Sequence, residues 1–241
     1  LRQAVFKQRN GLVAVNIAAA CGVFSPGQFS GLAEAAKEAG AGAVKLTSRQ
    51  TVVLILEENK IPGLAEKISG LDLRIAPYGN SIRSVKACSG NSELCPRALA
   101  DALDLGIELQ NKYLGREVPK DFKIAVAGCV RGCTDPYCAD FGLIACGKDT
   151  YRVAVGGRGG SPGPQHGTVI LEKVRSSRVP EVLDFVLAKY RKLAEPQERL
   201  CKTIARAGIQ EFVPPFAAEE KAVNLENEEF SKFLMSGDRE D

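Results

Sequence analysis

The placement of eight cysteines is the strongest constraint in this 241-residue chain: they stand at positions 21, 88, 95, 129, 133, 138, 146 and 201. Disulfide frameworks of that density belong to short secreted domains. This chain is longer than those, and its opening residues, LRQAVFKQRN, contain no apolar signal core. The expectation is a reducing, cytoplasmic setting in which thiols ligate metal. Cys88 ends the strand-like run RSVKAC, and six residues separate it from Cys95, which with Pro96 is expected to open a helix over 97–115. Cys129 ends the buried run FKIAVAG, and Cys133 follows in CVRGC. Each pair therefore falls where a strand gives way to a loop or helix start. Four thiolates from two such turns form a soft ligand set suited to zinc or an iron–sulfur cluster. Zinc sites favour tighter spacing than the 88/95 gap, which points to a cluster. The alternative is buried thiols packing as small apolar residues. That is the expected role of Cys21, Cys146 and Cys201, while Cys138 is close enough to Cys133 to be a substitute ligand.

Hydropathy patterning places these cysteines in the second of two units. Residues 11–18 read as a strand and 26–39 as a helix with Phe29, Leu32 and Ala36 on its apolar face. Strands at 42–47 and 51–57, a helix at 61–69 opened by Pro62 and closed by Gly70, and a strand at 71–77 complete a β-α-β-β-α-β order. That order is a ferredoxin-like half-domain, expected over 1–78. The second unit, expected over 79–216, mixes strands at 122–128, 141–147 and 167–174 with amphipathic helices at 179–194 and 197–208. The class is therefore α+β. His166 reads as a surface residue of a glycine-proline loop.

Charge narrows the function classes. The net charge is +3, too small to argue for nucleic acid, and no apolar run approaches the length of a membrane span. The segment 217–241 carries eight acids against three bases and reads as a solvated helix or tail. A single histidine excludes histidine-rich metal sites. Arg49, in the short link between two strands, is either a solvated loop residue or an anion-binding fork on a rigid hairpin.

Several segments match a known family in order and separation: LTSRQ, RSVKACSG, VPKDFKIAVAGCVRGCTDPYCADFGLIA and YRVAVGGRGG. Together they resemble the sirohaem-containing sulfite and nitrite reductases. The resemblance implies a half-domain followed by a domain that binds sirohaem and a 4Fe–4S cluster. It implies Cys88, Cys95, Cys129 and Cys133 as cluster ligands, with Cys133 bridging to the sirohaem iron. It implies Arg49, Arg83 and Lys123 as the cations that hold a small oxyanion and the macrocycle. Arg131, Arg158, Gly156 and Gly157 are the implied contacts to sirohaem carboxylates. The implied reaction is six-electron reduction of sulfite to sulfide. Reduction of nitrite to ammonia is the close alternative, and electron transfer through a cluster without such catalysis is another. Electrons would come from an external donor such as a ferredoxin or a partner subunit. Larger family members hold two such units, so a homodimer or higher symmetric assembly is expected.

Two departures from the family pattern stand out. The first cysteine pair has one extra intervening residue, and Asp121 stands where the family's P-R-K-F-K segment has a lysine. A carboxylate beside an anionic substrate is unfavourable, which predicts slow sulfite turnover at neutral pH. The alternative is that Asp121 turns to a nearby Arg or Lys. Lys120 is a candidate to compensate, although neighbours on a strand face opposite ways.

Overall fold

The structure, a computed structural model, describes residues 4–216. The acidic segment 217–241 lies outside the described residues. The first half holds β1 (Val5–Lys7), β2 (Val13–Ala18), α1 (Pro26–Glu38), β3 (Ala43–Leu46), β4 (Val52–Leu56), α2 (Ile61–Ser69) and β5 (Arg74–Ile75). The start of α1 is fixed by local chemistry: Ser25 and Gln28 cap each other reciprocally, and Pro26 sits where a missing N–H costs nothing. Leu32, Ala35 and Ala36 bury its inner face. Phe29, expected to point inward, is exposed and lies edge-on to Phe24. The sheet runs β5-β2-β4-β3, antiparallel throughout, and β1, which the patterning did not foresee, shares the outer edge of β2 with β5. This is the expected ferredoxin-like arrangement. Its central strand β2 is buried at all six positions, whereas edge strand β3 is exposed at all four.

The second half is a five-stranded sheet of order β10-β9-β8-β7-β6. Strands β6 (Lys86–Ala87), β7 (Ile124–Ala127) and β8 (Phe141–Gly147) are parallel, and β9 (Thr150–Val155) and β10 (Thr168–Arg175) return antiparallel. Helices α3 (Ala102–Tyr113), α4 (Val179–Leu193) and α5 (Leu200–Ala207) complete it. The core gathers Tyr113, Phe122, Phe141, Tyr151, Val186 and Tyr190, all essentially inaccessible. No helix among the described residues is long and apolar enough to cross a membrane.

The helix expected over 97–115 begins only at Ala102. The preceding backbone is committed elsewhere: Leu99 N–H donates to Gly128 O, Ala102 N–H to Gly90 O, and Asn91 Oδ1 accepts from Glu93 and Leu94 N–H. Tertiary and side-chain acceptors outbid helical ones there. Leu99, inside the expected helix, is exposed in this loop.

The halves interlock. Cys21, from the first, sits in the apolar core of the second, where burial pushes its thiol up to about 12 against the pull of Arg49. Gln110 of α3 donates to Ala19 O at 2.7 Å. Cys201 is buried as expected, and Cys146 is half-buried with its sulfur 3.5 Å from Glu172 O.

Candidate functional site

The candidate residues form two groups, at opposite ends of the parallel strands β6 and β7. The first group is sulfur. Ala87 is in register with Val126, so Cys88 and Cys129 leave the sheet on the same edge. Cys88 Sγ accepts the Gly128 N–H at 3.1 Å. The Leu99–Gly128 and Ala102–Gly90 bonds fold the Cys95 loop back onto that edge. Gly132 N–H closes a turn on Cys129 O and leaves Cys133 exposed. All eight cysteines are free thiols.

Space beside the Cys88 sulfur depends on glycine. A Cβ at Gly90 would come within 2.9 Å of Cys88 Sγ and 3.1 Å of Gly128 Cα. Among the described residues, no three Cys, His, Asp or Glu side chains are gathered closely enough to hold a single metal ion. In a 4Fe–4S cubane each thiolate binds its own iron, so its ligands stand farther apart than four thiolates at ~2.3 Å from one zinc. Soft donors on two turns beside a glycine-lined edge have the chemistry that an iron–sulfur cluster takes. Cys88, Cys95, Cys129 and Cys133 are the residues that could hold it.

The second group is charge. Arg49 is no solvated loop residue. Its Nε and Nη2 donate to Ser84 O at 3.1 and 2.7 Å, and Nη2 reaches Ile124 O at 2.9 Å. Burial pushes its pKa down to about 10, and the nearby Arg83 pushes the same way, so it stays charged at neutral pH. Arg83 lies 4.3 Å over the Tyr78 ring. Burial lowers the pKa of Arg83 and of Lys123, while Asp121 opposes that loss in both.

Sequence reasoning missed the organiser of this end, Arg199. Its Nη1 bonds Asp121 Oδ1 at 2.7 Å, and its Nη2 bonds Asp140 Oδ1 and Oδ2 at 3.1 and 2.9 Å. Asp140 is completely buried and also accepts the Lys123 N–H at 2.9 Å. Burial raises its pKa to about 6 despite the pull of Arg199. Nothing around Arg199 in QERLCKT marks it. The only available signal was the buried aspartate in the strand-leading segment CADFG, which needs a cation from somewhere. Asp121 therefore turns to an arginine, with Lys123 Nζ 3.7 Å away on its other oxygen. Lys120 does not compensate at this pair; it bonds Gln197 Oε1.

The glycine loop joins the charged end. Gly156 N–H donates to Asp140 O, and a Cβ at Gly157 would lie 2.1 Å from Tyr137 O, so Gly157 is required by close backbone packing. Arg158 is half-buried and pairs through its backbone with Gln165. Arg131 is exposed at the sulfur end. His166 is exposed, with its ring 6.0 Å from that of Tyr137.

Comparison with known proteins agrees with this arrangement. The nitrite/sulfite reductase ferredoxin-like half domain matches residues 6–71, and the nitrite and sulphite reductase 4Fe-4S domain matches residues 78–222. The chain is 34% identical over 125 residues to an NAD(P)H nitrite reductase of Emericella nidulans, covering 52% of this chain but 11% of that protein. It is 25% identical over 191 residues to an assimilatory-type sulfite reductase of Nitratidesulfovibrio vulgaris, covering 79% of this chain and 85% of that one. In fold it resembles the crystal structure of dissimilatory sulfite reductase I, with a TM-score of 0.76 at 16% identity, over 83% of this chain and 68% of that one. Two matched domains in the observed order, carrying the cysteine turns and the cationic cluster, place the chain in the nitrite and sulphite reductase 4Fe-4S family.

Proposed function

We propose that this chain reduces a small oxyanion, sulfite to sulfide by six electrons, using sirohaem and a 4Fe–4S cluster. The carrying observation is that the two strands ending in Cys88 and Cys129 begin beside Arg83 and Lys123, held with Arg49 in one half-buried cationic group. Bound cofactors would supply single electrons and the centre at which the anion is reduced. The chain's own residues supply ligation, charge and protons. Cys88, Cys95, Cys129 and Cys133 would hold the cluster, Cys133 being the exposed one of the four. Arg49 has its Nε and Nη2 committed to carbonyls, so it fixes positive charge while Arg83 and Lys123 grip the anion. Burial makes Lys123 a readier proton donor than a surface lysine. Arg131 and Arg158 would supply charge to the macrocycle carboxylates.

Sulfite is preferred over nitrite because the chain spans most of the assimilatory-type sulfite reductase it matches but a small part of the nitrite reductase. The nitrite relative, more alike in sequence, supports nitrite as the second reading. Arg83 precedes Cys88 by five residues, roughly 15 Å of strand, so one chain holds its cations away from its own thiols. The exposed edge of β3, with Val44 59% and Leu46 69% accessible, offers a surface for a second copy. Electrons would enter from a separate donor protein.

The test is anaerobic reconstitution with iron, sulfide and sirohaem, followed by sulfite and nitrite turnover with one chemical reductant. A Soret band with sulfide release supports the proposal. Nitrite turnover alone selects the second reading, and a cluster spectrum without a Soret band reduces the chain to electron transfer.

A further inference from the structure

Strand β6 is the edge of its sheet, and its outer side is closed by two glutamine side chains rather than by another strand. Val85 N–H donates to Gln110 Oε1 at 3.0 Å. Ala87 N–H donates to Gln50 Oε1 at 2.9 Å, and Gln50 Nε2 donates to Ala87 O at 2.8 Å. The Gln50 amide thus reproduces both halves of a strand pairing on the residue immediately before Cys88. It does so from a strained position, since Gln50 has φ of 57° at the end of the β3–β4 link. Its neighbour in that link, Arg49, reaches Ser84 O just before β6 and Ile124 O at the start of β7. A left-handed residue other than glycine or asparagine is uncommon, and here it aims one amide at one peptide.

We infer that Gln50 is a positioning residue for the cluster ligand Cys88: its two bonds to Ala87 hold the last turn of β6, and with it the thiol, against Gly128. The first half of the chain thereby sets the geometry of a ligand carried by the second. This rests on the cluster reading proposed above. Without the clamp, Ala87 would present a free edge N–H and C=O, and the Cys88 turn would lose its outer support.

Two substitutions remove the contact without disturbing the backbone. Gln50→Asn tolerates positive φ but is one methylene short, and Gln50→Gly adopts positive φ freely and has no amide. Thr51→Val serves as a control. It removes the Thr51 hydroxyl contacts to Asn16 on β2 and to Thr47 in the same link, and it leaves Ala87 untouched. In the metal-free chain, amide exchange at Ala87 should quicken about tenfold in both Gln50 variants, the loss of roughly one hydrogen bond. In the reconstituted chain, the electron paramagnetic resonance spectrum of the reduced cluster should change in both variants and stay as in the parent for Thr51→Val. Unchanged Ala87 exchange would overturn the clamp. Faster exchange with an unchanged cluster spectrum would overturn its role in positioning Cys88. A spectrum that changes equally in Thr51→Val would show general loosening and overturn it too. If the unsubstituted chain takes up no cluster, the cluster reading itself fails, and that failure appears in the parent rather than in the variants.

Discussion

The two ends of strands β6 and β7 are built on different principles. At the sulfur end, the functional groups sit on turns, half-buried or exposed, and little but Gly128 N–H touches a candidate ligand sulfur. At the charged end, Arg49, Lys123, Arg199, Asp121 and Asp140 are tied to one another or to backbone carbonyls before any ligand arrives. A cluster brings its own bonds and can organise loose turns, since metal binding is coupled to folding. An oxyanion brings only charge, so its site must be pre-arranged against the mutual repulsion of the cations. The aspartates at the charged end do that: they let four cations pack without driving each other out.

The largest expected effect lies at the sulfur end. Cys129→Ser or Cys133→Ser should abolish the cluster signal, while Cys146→Ser, outside the turns, should keep it; iron analysis with cluster spectroscopy reads both. A Cys133→Ser chain with full iron content would break the assignment.

Next in size is the anchor of the charged end. Arg199→Ala leaves Asp140 buried without its counterion and should destabilise the fold by about 3–5 kcal/mol in urea unfolding. Asp121→Lys would set a third cation against Arg199 and Lys123, so it should lose stability and fail to speed sulfite turnover. A gain in sulfite turnover would instead mean that Asp121 only weakens the site.

Arg83→Ala should sharpen the contrast. It removes a cation from the anion group without touching a thiol, so anion binding should weaken by about 1.5–3 kcal/mol while the cluster spectrum is unchanged. Spectral change together with the binding loss would mean that the two ends are not independent.

The last expectation is a pH dependence. Asp140 has its folded pKa raised to about 6 from 3.8, so the folded state holds its proton more tightly than the unfolded chain does. Its contribution is greatest below pH ~4, and stability falls as pH rises toward ~6. Asp140→Asn should remove that slope. Glu198, shifted down to about 2 chiefly by its bond to Arg206, acts in the opposite sense and below that window.

Much of this was legible in the chain. The βαββαβ order followed from apolar runs and from punctuating residues such as Pro62 and Gly70, because these are set by residues within a few positions of one another. The cysteine pairs were visible because each first cysteine directly follows a strand-like run in the chain. What stayed hidden depended on distance along the chain. Helix α3 starts late because Gly90 and Gly128 capture the backbone at 99–102. Asp121 is resolved by an arginine 78 positions away.

Sequence by itself determined the two-unit architecture and the placement of the cysteine pairs after strand-like runs, while Arg49, Arg83 and Lys123 entered as the cations the family resemblance implies. Only the tertiary structure decided that cations and thiols occupy opposite strand ends, that Arg49 grips Ser84 and Ile124 carbonyls, and that Gln50 closes the edge beside Cys88. The reason is physical. Hydrophobic period and turn chemistry are local and repeat often enough to be read, whereas a buried charge or an unpaired strand edge is satisfied by whichever side chain the packed fold brings within about 3 Å.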